Sequence, residues 1–183
     1  MKGHRGFILY VVVAVIVMVG CRKEQTPAPQ ALIVRYKKQL EHDPNNIEAR
    51  LGLGRAYVNQ QDLSNALGEF TKAVELDSMN FEAHHELGVT LRKLNQYDEA
   101  IEALLKALAL DPKSALAHNS LGLVYYMTHE IEEALREFRK AIELDSKCAE
   151  AHYNLGAIYR ELEDYDRASH HWQKYNDLQK SDR

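Results

Sequence analysis

With 183 residues, 45% of them apolar and 27% charged, the chain is long enough to bury one core of ordinary size. Its formal charge is −4, and setting aside the cations Lys2 and Arg5 leaves −6, which excludes a body that collects nucleic-acid phosphates. Two distant cysteines, Cys21 and Cys148, exclude a disulfide framework and any cysteine-spaced metal knuckle, while only four prolines and nine glycines point to helix.

The chain opens on MKGHRG, continues as the apolar run FILYVVVAVIVMV and closes that run with Gly20 and Cys21. Charge followed by an apolar run is the order of a secretory signal. A spanning helix needs about 20 apolar residues to cross about 30 Å of hydrocarbon, so the shorter run here suits the core of a signal over residues 1–20. Met18, Val19, Gly20 and Cys21 resemble the lipobox of bacterial lipoproteins, with methionine where leucine is more usual. That resemblance implies acylation of the Cys21 sulfur and cleavage before it, leaving a lipid-anchored protein that faces the periplasm. Two or three acyl chains anchor stably where one does so marginally. Arg22 stands where an aspartate would favour inner-membrane retention in some bacteria, so the same resemblance favours the outer membrane. The alternative is an uncleaved N-terminal helix with an incidental cysteine. Residues 21–30, with Pro27 and Pro29 and no apolar periodicity, read as an extended tether.

From residue 31 the apolar spacing of ALIVRYKKQLEHDP predicts a single helix, a half-repeat over 31–46 that covers the exposed edge of the first full repeat. The chain then repeats at a period of 34 without insertions: 47–80, 81–114, 115–148 and 149–182. Each copy carries a Leu-Gly pair (Leu53-Gly54, Leu87-Gly88, Leu121-Gly122, Leu155-Gly156), then Tyr57, Leu91, Tyr125 or Tyr159. An alanine comes next in Ala66, Ala100, Ala134 and Ala168, then a large apolar residue in Phe70, Leu104, Phe138 and Trp172. Asn46, Asn80 and Ser114 stand where helix N-caps are needed, and Cys148, a poor acceptor, takes that place in the fourth copy.

This pattern resembles the tetratricopeptide repeat, which implies an all-α fold: a right-handed superhelical solenoid of antiparallel helix pairs. Within each pair the glycine admits the second helix closely and the large residue fills the space. Two departures stand out. The family proline survives only at Pro44 and Pro112, with Ser78 and Ser146 elsewhere, and the turn glycine between helices is replaced by Gln61, Asn95, His129 and Glu163. Polar residues of the last helix, His170, His171, Gln173, Lys174, Asn176 and Gln179, suit a terminal cap, and Tyr175 replaces a packing alanine.

Nine histidines raise the question of chemistry, above all His84, His118 and His152, which recur at the repeat period. Ridges of packed helices lie about 8–10 Å apart, too far for rings that zinc must hold at about 2.0–2.1 Å. These histidines are expected to pack between repeats, and no metal or cofactor is expected. No HExxH, GxSxG or phosphate-cradling glycine loop occurs, so the chain does not read as an enzyme.

The family resemblance places partner peptides or helices on the inner wall made by the first helix of each pair. The lining positions map to Leu51, Arg55, Val58 and Asn59; His85, Val89, Arg92 and Lys93; Asn119, Leu123, Tyr126 and Met127; Tyr153, Ala157, Arg160 and Glu161. The lysine and asparagine clamp of the family's chaperone-binding members is not preserved, since Leu51 and Arg55 stand there. An apolar floor with arginines on it implies a protein segment with acidic and apolar residues. A solvated inner wall with binding elsewhere on the solenoid is the alternative.

A lipid anchor joined to such an array resembles the pilotin lipoproteins of type IV pilus systems and the envelope adaptors that recruit cell-wall enzymes. The expectation is a non-catalytic, membrane-anchored scaffold of envelope or pilus assembly, with no nucleic acid among its partners. Its rival is an accessory subunit of a membrane-associated enzyme, tethered by an uncleaved helix.

Overall fold

The computed structural model describes residues 29–181; the apolar run, Cys21 and most of the tether lie outside them. Among the described residues the chain is nine helices and no strand. They are α1 (Pro29–His42), α2 (Ile47–Asn59), α3 (Leu63–Leu76), α4 (Phe81–Lys93), α5 (Tyr97–Leu110), α6 (Ala115–Met127), α7 (Ile131–Leu144), α8 (Ala149–Glu161) and α9 (Tyr165–Ser181). No helix among them is long and apolar enough to cross a membrane.

The first helix of each repeat begins where the sequence offers a short polar side chain. Asn46 Oδ1 accepts from the Ala49 N–H at 2.8 Å, Asn80 Oδ1 from Ala83 at 2.9 Å and Ser114 Oγ from Ala117 at 3.2 Å, each satisfying an orphan donor of the first turn. Cys148 makes no such bond at the head of α8. Burial pushes its thiol above the usual range, which leaves it an inert turn residue.

Each pair closes through the same turn. Gln61, Asn95, His129 and Glu163 adopt φ of 61°, 61°, 64° and 58°, the left-handed conformation that the family glycine would take without strain. Backbone bonds from Asp62 to Tyr57, Gln96 to Leu91, Glu130 to Tyr125 and Asp164 to Tyr159, at 2.8–3.0 Å, lock the turn in all four copies. The substitutions therefore strain the turn and do not loosen it. A non-glycine residue pays roughly 1–2 kcal/mol there, against about 0.5–1 kcal/mol of extra unfolded-chain entropy for glycine. His129→Gly at this exposed site is expected to raise stability by about 0.5–1 kcal/mol, read from the midpoint of urea unfolding.

Between repeats an aspartate takes over from the missing prolines. Asp43, Asp77, Asp111 and Asp145 each accept from the N–H two residues on, at 2.9–3.1 Å, whether the next residue is Pro44, Pro112, Ser78 or Ser146. Ser78 and Ser146 thus keep the geometry of the proline copies.

Helices contact only their chain neighbours, with one exception: α2 touches α4, α4 touches α6 and α6 touches α8. No corresponding contacts join α3, α5, α7 and α9, so the first helices crowd the inner wall and the second helices spread on the outer one. Inside each pair, glycine meets a large side chain. A Cβ on Gly122 would stand 2.9 Å from the Phe138 ring, and one on Gly156 2.4 Å from Trp172 Nε1. At the N-terminal end α1 packs Ile33 into the core of the first repeat beside Leu53 and Phe70.

Two of the recurring histidines reach across the repeat boundary to the turn that ends the preceding repeat. His84 Nε2 lies 3.0 Å from the Ser78 carbonyl, and His118 Nε2 3.3 Å from that of Pro112, so each ties its helix to the turn six residues upstream. His118 also meets Glu137, on the second helix of its own repeat, at 2.6 Å.

Candidate functional site

The inner wall is built from α2, α4, α6 and α8, and part of its predicted lining holds the solenoid together. Leu51 is 4% exposed and belongs to the core. Arg55 Nε donates to Glu86 at 2.7 Å and its terminal nitrogen to Glu82, so it bridges α2 to α4. Burial lowers the Arg55 pKa, but Glu86 and Glu82 outweigh it and hold the guanidinium above its ordinary value. His85, buried and stacked on Phe81, reaches Ser120 Oγ at 3.0 Å. Burial lowers its pKa even with Glu86 and Glu82 pulling the other way. Asn154 donates to Asn119 Oδ1 at 3.1 Å, joining α8 to α6. The Tyr126 hydroxyl donates to Glu161, which together with burial raises its pKa.

The other lining residues remain available. Val58, Val89 and Leu123 are half-buried, Ala157 lies beside them, and Asn59, Lys93, Met127 and Tyr153 are exposed. Arg160 is exposed with its guanidinium 5.6 Å from the centre of the Trp172 ring. Arg92 differs from the other arginines of the wall. It is half-buried, no carboxylate pairs with it, and its Nε is buried without a hydrogen-bond partner. Burial lowers its pKa, and only Tyr97 acts in the opposite direction. A cation held this way is short of an anion.

Two clefts open on this wall. One, of about 240 Å³, is lined by Leu123, Glu150, Tyr153 and the Asn119–Asn154 pair together with Tyr175 and Gln179 of α9. The Tyr153 and Tyr175 rings pack at 5.4 Å and 57°, an aromatic shelf with Tyr153 51% exposed. The other, of about 540 Å³, lies between the starts of α4 and α6, where Phe81, Met79 and Leu116 form an apolar patch beside Glu82 and Glu86. Tyr175 and Gln179 were absent from the lining read off the sequence. Tyr175 gave a signal, standing where the repeat has an alanine. Among the described residues no three histidines, cysteines or carboxylates converge to hold a metal.

An apolar trough with a half-buried arginine that no carboxylate pairs and an aromatic shelf, set in a stack of helix pairs, defines a helical-repeat protein that binds other proteins. The pattern described as TPR repeat matches residues 54–94, 90–128 and 130–163, and that described as Tetratricopeptide repeat matches 149–182. The chain belongs to the tetratricopeptide repeat family. The matching patterns describe the repeat and indicate no enzyme family. No curated protein matches the chain. Among solved structures it is similar to a crystal structure of MamA, 31% identical over 82% of this chain and 88% of that one, with a TM-score of 0.71. It is also similar to MamA from Desulfovibrio magneticus RS-1, 25% identical over 99% and 98% of the two chains, with a TM-score of 0.74. A third is YrrB, described as a TPR protein with an unusual peptide-binding site, 29% identical over 82% and 78%, with a TM-score of 0.65.

Proposed function

We propose that this chain is a lipid-anchored scaffold of the bacterial envelope that holds an acidic and apolar protein segment along its inner wall. Arg92 is the observation that carries the segment's chemistry: a half-buried guanidinium without a carboxylate of its own selects one from a partner. Elsewhere along the same wall, Leu123, Tyr153 and Tyr175 supply apolar area at small entropic cost, since aromatic rings have few rotamers to lose. YrrB's described peptide-binding site supports a peptide as occupant. Anchoring rests on Met18, Val19, Gly20 and Cys21, and envelope or pilus assembly is the setting in which such an anchored array serves.

The test is affinity purification from detergent-dissolved membranes, comparing the unaltered chain with an Arg92→Glu, Tyr153→Ala double variant. Neither residue bridges two repeats, so the solenoid is expected to persist. Loss of one partner set with the variant upholds the groove; an unchanged set moves binding to the outer face. Base treatment of the same preparation is expected to release ester-linked acyl mass from Cys21, and an unaltered mass removes the anchor.

A further inference from the structure

The four copies differ at one structurally equivalent pair of positions, where the first helix meets the second. Repeat one has Arg50 against Glu69 at 2.8 Å, repeat two His84 with Ala103 opposite, and repeat three His118 against Glu137 at 2.6 Å. Repeat four has His152 against His171, their Nδ1 atoms 3.0 Å apart and their rings 5.3 Å apart. A basic side chain facing a carboxylate in repeats one and three thus becomes two imidazoles in the last repeat.

Two ring nitrogens at hydrogen-bond distance share one proton. The backbone carbonyl of Ser146 takes a hydrogen bond from His152, which leaves a bare Nδ1 to accept from the His171 N–H. Both rings are then neutral. A proton added to His152 Nδ1 sets two N–H groups against each other, and a proton on His171 places a charge among groups of the same sign. Arg139 comes from α7, and its guanidinium donates to the Tyr159 hydroxyl at 2.6 Å. His152 and Tyr159 come from α8, with the Tyr159 ring stacked on His171 at 5.6 Å. His170, Lys174 and Arg167 come from α9 itself, Arg167 lying 4.5 Å from the Tyr159 ring centre. No carboxylate figures among the groups acting on either imidazole.

We propose that the His152–His171 pair is an acid-sensitive latch: protonation loosens α9 from α8 and withdraws Tyr175 and Gln179 from the cleft, so that a segment held at neutral pH is released under mild acid. The consequence for a bound segment rests on the proposal that the inner wall holds one; the latch itself does not.

Burial first, then His152, His170 and Arg139, lower the His171 pKa to about 4, and burial also lowers that of His152. An imidazole depressed in the folded state binds fewer protons there than when released. Its contribution is therefore complete above the released value of about 6.5 and is lost as pH falls from about 6.5 toward 4. Allowing for the partial exposure of His171, opening of α9 is expected to rise on the order of tenfold between pH 7.5 and pH 5.

Amide hydrogen exchange on the full chain, corrected for the intrinsic pH dependence, tests this without a partner. Protection of α9 is expected to fall on the order of tenfold at pH 5 while α2 to α6 hold theirs. His171→Glu, which rebuilds the pair of repeat three, is expected to abolish the loss. Equal protection of α9 at both pH values overturns the latch, as does a loss shared by all helices or one that persists in His171→Glu. Retention of the membrane-recovered partner, compared at the two pH values, is a separate readout. A groove that binds nothing leaves the exchange result standing, whereas a partner held equally at both values while α9 opens overturns the release step.

Discussion

Phe138→Ala is expected to destabilise the chain by about 3–5 kcal/mol and to do so unevenly along its length. Phe138 is fully buried, and its ring fills the space left by Gly122. The same cluster gathers Leu155, Ile158 and Tyr159 of α8 and Ala168 of α9. Truncation removes the transfer free energy of a phenyl ring and leaves a cavity, because the small alanines around it, Ala134 and Ala141, cannot close in. In a fold of total stability about 5–15 kcal/mol this is a large fraction. Since each repeat touches only its neighbours, the loss is expected to concentrate in repeats three and four. Trp172, the one tryptophan, reports that end by packing on Gly156. In denaturant its fluorescence transition is expected to shift to lower concentration than the helical signal of the whole chain. Phe70→Ala, an equally buried truncation in the first repeat, is expected to move the tryptophan transition least. Coincident shifts of both probes in both variants would show instead that the array unfolds as one unit.

What the sequence displayed, and what it hid, divides along the repeat itself. Features that recur at one position from copy to copy were legible: the Leu-Gly pair and the buried alanines in all four, and the N-caps at Asn46, Asn80 and Ser114 in the first three. The left-handed turns were visible only as departures, and their meaning waited on φ, because Gln61 and Glu163 carry no mark of a strained backbone. The inner wall was harder, since its fate is decided between copies. Arg55 meets Glu86, His85 meets Ser120, Asn119 meets Asn154 and Tyr126 meets Glu161, pairs that join non-equivalent positions of successive repeats. Laying copies over one another aligns like with like and conceals such bonds. The same overlay did place His118 with His152 and Glu137 with His171, yet only the helix packing sets those columns face to face.

Arg92→Leu is expected to part stability from binding. In the free protein the Arg92 guanidinium is half-buried, has no acid to meet it and leaves Nε without an acceptor. An unsatisfied buried polar group costs about 1–3 kcal/mol, and partial exposure here discounts that to the lower end. Leucine covers similar apolar surface without the charge, so the variant is expected to be more stable by about 1 kcal/mol, measured by urea unfolding. For the partner recovered with the unaltered chain the same change removes a charge-assisted hydrogen bond, worth about 1.5–3 kcal/mol, and affinity is expected to fall about 10- to 100-fold. Arg92→Glu, which sets a carboxylate against the partner's own, is expected to weaken it further. Arg55 supplies the contrast, because its charge is already met by Glu82 and Glu86. Arg55→Leu strands those two carboxylates and is expected to lower stability. If Arg92→Leu also lowers stability and leaves binding intact, the arginine belongs to the scaffold and the anion it lacks is not a partner's.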